Sequence, residues 1–118
     1  MAKENMGFPK HYSKTMADYP GLRQALEALG VALRKEGPID AKTTQLIELA
    51  AAATIRSEGA VHSHVKRALE AGATPEEIRH AVVLLVSTIG FPTVAAALSW
   101  VDDVLKKKSR RRGTFRST

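Results

Sequence analysis

Apolar residues along this chain recur three and four positions apart and never alternate over a strand-length run, so the pattern predicts helices throughout. Leu22, Leu26, Leu29 and Leu33 mark a first helix that begins at Gly21. Gly30 lies inside it and costs that helix roughly 1 kcal/mol relative to alanine, so a break or a close packing contact is expected there. Gly37-Pro38 ends the segment, and Asp40 reads as the N-cap of a second helix, Ala41 to about Arg56. That helix has a broad apolar face, with Leu46, Ala50 and Ala53 on one stripe and Ile47, Ala51 and Ile55 on the next.

After an interruption at residues 57–59, Val61, Val65, Ala68 and Leu69 give a third, shorter amphipathic helix. Gly72 falls where a left-handed C-cap is wanted. Thr74-Pro75-Glu76-Glu77 is a start signal, with Thr74 as N-cap, Pro75 at the first position and Glu77 completing a capping box. A fourth helix carries Ile78, Val82, Leu85 and Ile89, and the intervening Ala81, Val83, Leu84 and Val86 make it apolar almost all round. Such a helix sits centrally or is covered by another subunit. Gly90-Phe91-Pro92 interrupts it, and a fifth helix follows to about Lys107 with Val94, Leu98, Val101 and Leu105 facing inward. The fold class is all-α, a single-domain bundle of five to six helices. Residues 1–19, which show no clear period, read as an N-terminal arm, 20–108 as the helical body and 109–118 as a basic, disordered tail.

The length of 118 residues suits one compact domain. Of 18 Lys and Arg, seven fall between Lys106 and Thr118 with no acid among them, which leaves eleven basic and twelve acidic residues in the preceding 105. The net charge of +6 therefore describes the tail rather than the body. A like-charge block of this kind reads as a solvated tail, and no specific nucleic-acid partner is expected. No run approaches the ~20 apolar residues of a membrane span, and Met1–Lys10 lacks the apolar core of a secretion signal, so no membrane association and a cytoplasmic address are expected. With no cysteine, disulfides, thiolate metal sites and thiol redox chemistry are excluded.

Phosphate-binding glycine loops, nucleophile elbows and dinucleotide fingerprints are all missing from the sequence. The histidines are His11, His62, His64 and His80, and none forms the i, i+4 pair of a helical zinc site. Neither a metal nor a cofactor is expected. His64 lies on the apolar side of the third helix, where a histidine is either a packed, hydrogen-bonded residue or a pocket residue. Gln45 and Glu48, three apart on the second helix, are the side chains that can meet it across a packed antiparallel pair.

The stretch Asp40-Ala41-Lys42-Thr43-Thr44-Gln45-Leu46-Ile47-Glu48-Leu49-Ala50 resembles the opening helix of the carboxymuconolactone decarboxylase and alkylhydroperoxidase-D-like family. The segment from His64 to Ile78, with its Glu70-Ala71-Gly72-Ala73-Thr74-Pro75-Glu76-Glu77 turn, is similar to that family's most recognisable stretch. Gly90-Phe91-Pro92 and the alanine-rich helix after it resemble the end of the family domain. The likeness runs from about Gly37 to Leu105. It implies a homo-oligomer, a trimer or hexamer, in agreement with the wide apolar surface on a short chain.

The family's peroxidase branch relays protons from a glutamate and a histidine to a Cys-x-x-Cys pair. On this chain those positions are Gln45, His64, Ser57 and Ala60, so only the histidine is kept. A serine hydroxyl forms no disulfide and an amide accepts no proton as a carboxylate does, so thiol-dependent hydroperoxidase activity is not expected. The decarboxylase branch works without cysteines and removes carbon dioxide from an anionic lactone. Ile55-Arg56-Ser57-Glu58 and the Gly-Phe-Pro corner are more similar to that branch. Its chemistry needs a cation for substrate carboxylates and a proton donor for a developing carbanion or enolate. His64 is the candidate donor, assisted by Gln45, with Arg56, Glu48 and Ser57 as binding candidates and Arg67 as a second cation. Two functions stay open at this point: an acid–base decarboxylase or lyase for a small anionic molecule, and a catalytically silent binding or assembly protein on the same scaffold.

Overall fold

A computed structural model of the chain describes the backbone of residues 10–111 and the side chains of residues 14–107. Seven helices follow one another among the described residues: α1 (Lys10–Asp18), α2 (Pro20–Lys35), α3 (Ala41–Thr54), α4 (Glu58–Glu70), α5 (Pro75–Val83), α6 (Val86–Ile89) and α7 (Phe91–Arg111). No strand occurs among them, and the class is all-α as the periodicity requires.

Local chemistry sets most of the boundaries. Asp40 caps α3 by accepting a hydrogen bond from the Thr43 amide at 2.8 Å, and this bond holds its carboxyl below the usual carboxylate range. Thr74 caps α5 through a complete capping box: its hydroxyl accepts from the Glu77 amide and the Glu77 carboxylate accepts from the Thr74 amide, each at 3.0 Å. Gly72, at φ 99°, closes α4 in the left-handed region, where Ala73 N–H reaches the Ala68 carbonyl and Gly72 N–H the Leu69 carbonyl. The same paired closure ends α3, but there the left-handed residue is Arg56, at φ 58°. Ser57 N–H bonds the Ala52 carbonyl and Arg56 N–H the Ala53 carbonyl.

The core lies between α3, α4, α5 and α7. Leu49, Ala52 and Ala53 meet Val61, Val65 and Ala68, and Ile78 and Val82 close over Val94, Ala97, Val101, Val104 and Leu105. Alanines at the α3–α4 contact bring these two helices close together as an antiparallel pair. Ion pairs fasten the outside: Lys42 to Glu77 at 3.1 Å joins α3 to α5, and Arg79 to Asp102 at 3.0 Å joins α5 to α7.

Four features differ from the periodicity reading. Residues 10–18, in the stretch where no period was legible, are helical and pack against α2. The fourth expected helix is divided at Leu84-Leu85, where the Leu85 and Thr88 amides bond to carbonyls three residues back and tighten the turn. On α3 the buried line is Gln45, Leu49, Ala52 and Ala53, whereas Ile47 and Ile55 face outward at 50% and 73% exposure. The last helix continues to Arg111, and the rest of the basic tail lies outside the described residues.

Candidate functional site

The α3–α4 pair carries the site because its register sets Gln45 opposite His64. The His64 Nδ1 atom is 2.9 Å from the Gln45 Oε1 atom and 3.5 Å from the Glu48 Oε1 atom. Gln45 is buried among core residues, His64 is largely buried, and Glu48 is half-exposed. An amide oxygen only accepts, so Nδ1 carries the proton and donates it to Gln45. The other ring nitrogen, Nε2, is then the unprotonated one and the atom at which His64 exchanges protons.

Burial is the main influence on this ring and pulls its pKa below the ordinary histidine value. Glu48 opposes the shift, while the positive charges of Arg67 and Arg34 add to it. His64 is thus neutral at neutral pH, and its protonated form, once made, is a stronger acid than an ordinary imidazolium.

A cleft of about 240 Å³ opens on the α2–α3 side of Glu48. Leu33, Pro38, Ile39 and Ile47 give it apolar walls, and Arg34, Thr44 and Glu48 supply its polar atoms. Arg34, from the last turn of α2, was not among the residues that the sequence singled out. Its spacing from Glu48 carries no helical signature, since the turn at residues 36–40 lies between them.

The remaining candidates stand elsewhere. Arg56 directs its guanidinium to the Thr93 hydroxyl at 3.1 Å and ties the α3–α4 corner to the start of α7. Ser57 is the N-cap of α4, its hydroxyl accepting from the Ala60 amide at 3.4 Å, so the positions that hold cysteines in the family's peroxidase branch form a helix cap. His62 bonds Asp103 at 3.0 Å with Glu58 4.0 Å away. Those three side chains bring ligand atoms within 4.8 Å of one another, a group able to hold a metal ion, and as it stands a polar bridge between α4 and α7.

His64 meets Gln45 and Glu48 across the α3–α4 pair, and of these three side chains Glu48 alone is part of the cleft lining. The model of the carboxymuconolactone decarboxylase family matches residues 20–103, from the start of α2 into α7. The chain belongs to this family. The match takes in α3 and α4 with Gln45, Glu48 and His64, and it also takes in α2 with Arg34. Among curated proteins, one from Haemophilus influenzae described as uncharacterized is 39% identical over 59 residues. The match covers 50% of this chain and 52% of that protein, so the chain spans about half the length of this relative.

Proposed function

We propose that this carboxymuconolactone decarboxylase family member is an acid–base carboxy-lyase for a small anionic substrate, acting in the cytoplasm as a homo-oligomer. The observation that carries the reading is the His64–Gln45 hydrogen bond, joined to the cleft through Glu48, which faces the ring and lines the cleft. It fixes the tautomer and leaves Nε2 to hold or release a proton. In such a reaction the carbon–carbon bond to the departing carboxylate breaks and carbon dioxide leaves. The electron pair stays on the substrate as an enolate, and Nε2 of His64, having taken up a proton from solvent, delivers that proton to carbon. Glu48 steadies the imidazolium while it exists, and burial makes it acidic enough to give the proton up.

The oligomer is supported by apolar surface without cover in the single chain. No residue of α2 is buried, and Leu22, Leu26, Leu29 and Leu33 are between 42% and 61% exposed. Among the described residues no helix is long and apolar enough to cross a membrane.

Carbon dioxide release from carboxymuconolactone, measured with the purified chain, tests the reading. Turnover that His64→Ala abolishes, with the helical signal kept, is the expected result. Absence of turnover in the unmodified chain would put the catalytically silent scaffold first. That alternative draws on one observation, the amide of Gln45 at the position where the family's relay has a carboxylate.

A further inference from the structure

Gly30 occupies the interior of α2, where glycine weakens a helix, yet its backbone is not in the left-handed region that would require glycine. Space accounts for it. A Cβ at this position would lie 3.2 Å from the Arg34 Nη1 atom, 3.5 Å from Nη2 and 3.7 Å from Cζ. Long side chains on a helix lean toward its N-terminus, and Arg34 does so until its guanidinium rests against the bare backbone one turn earlier. The notch left by Gly30 is therefore the seat of the Arg34 fork.

The charge seated there has no acidic partner among the described residues. Three other cations of the body are paired with carboxylates: Arg23 with Glu27, Lys42 with Glu77 and Arg79 with Asp102. Glu48 is the one carboxylate lining the cleft with Arg34, and it faces His64. Arg34 thus lines, with Thr44 and Glu48, a cleft whose remaining walls are apolar, and its charge is within electrostatic reach of the histidine.

We infer that Arg34, seated in the Gly30 notch, is the anion anchor of the cleft and that the cleft takes a small carboxylate with an apolar body. The inference rests on the reading of this site as one for an anionic substrate and assigns the residue that recognises the anion. A guanidinium fork matches a carboxylate through two parallel N–H donors. Phosphate has no apolar body to set against the apolar walls of the cleft. Leu33, Ile39 and Ile47 offer apolar contact to a ring or short acyl group in this cleft of about 240 Å³. Arg56, a candidate cation from sequence, bonds Thr93 instead.

The test is an NMR titration of the full chain with benzoate, with its neutral isostere benzamide, and with inorganic phosphate. Benzoate is expected to give saturable shifts at the cleft residues, with benzamide and phosphate at least tenfold weaker. Arg34→Gln lowers benzoate binding at least tenfold, to the level of benzamide. Gly30→Leu fills the notch but keeps the charge; it weakens benzoate binding severalfold while leaving the thermal midpoint as high or higher, which a purely structural role for Gly30 would not produce. Equal binding of benzoate and benzamide, or of benzoate and phosphate, overturns the inference. So does unaltered benzoate binding by Arg34→Gln, or no saturable binding at all. Failure of the lyase reading looks different: benzoate still binds through Arg34, and carboxymuconolactone is not turned over. Turnover with an unchanged KM in Arg34→Gln would instead remove the anchor and keep the lyase.

Discussion

The Nδ1 atom of His64 donates to the Oε1 atom of Gln45 across 2.9 Å, and the amide that receives this bond is one of the two buried polar side chains in the helical body. A buried amide has no water to satisfy it, so ring and amide hold each other in one orientation. An amide also leaves the ring without the charge that a carboxylate would put there.

Gln45→Glu supplies that charge. The new carboxylate accepts the same Nδ1–H and favours the imidazolium, so the His64 pKa should rise. Following the His64 ring resonances against pH measures it. An unmoved titration would mean that residue 45 does not face the ring in solution.

The pH dependence of stability follows from the lowered pKa of His64. In the unfolded chain a histidine titrates near its ordinary value of about 6.5. Between that value and the lower folded one, the unfolded state binds the extra proton, so stability rises with pH across the window. The contribution is complete above about pH 6.5 and is lost as pH falls through the folded pKa. Urea midpoints of the unmodified chain should therefore drop from pH 7 to pH 5 more steeply than those of His64→Ala.

Removing the cap of α5 isolates a local contribution. Thr74→Ala deletes the hydroxyl that accepts from the Glu77 amide and should cost about 1 kcal/mol, as loss of an N-cap does. Chemical denaturation at fixed protein concentration reads the change. Activity, if carried by the α3–α4 pair, should stay the same in the folded variant.

Assembly is tested on α2. Leu26 and Leu29 are 42% and 53% exposed on the same stripe. The unmodified chain should sediment as a trimer or hexamer, and Leu26→Glu with Leu29→Glu should reduce it to a smaller, still helical species. A monomeric unmodified chain would mean that the stripe is not a subunit contact.

The parts of this fold that were legible in the sequence are those set by near neighbours. Asp40, Thr74 and Gly72 act within four residues of their own position, and each does in the structure what its local chemistry dictates. The core stripes of α4 and α7 were legible too, because a single face of each is apolar. On α3 both stripes were apolar, and only the packing of α4 decides that Gln45 turns inward and Ile47 outward. The break after Val83 has no glycine or proline to announce it. For the site, His64, Gln45 and Glu48 were legible as a helix-pair constellation. Arg34 was not, because a tight turn rather than a helical period brings it to the cleft.

The anchoring of α2 bears on how the cleft behaves over time. With no buried residue, α2 packs chiefly on α1, while α3, α4, α5 and α7 share one core. In a subunit released from the oligomer by Leu26→Glu with Leu29→Glu, amide hydrogens of α2 should therefore exchange with solvent well before those of α3 and α4, as in a separate, weaker cooperative unit. One wall of the cleft, including Leu33 and Arg34, belongs to that unit, and the other belongs to the core. A molecule that bridges the two walls is consequently also a clasp, and exchange protection along Pro20–Lys35 becomes a readout of its occupancy.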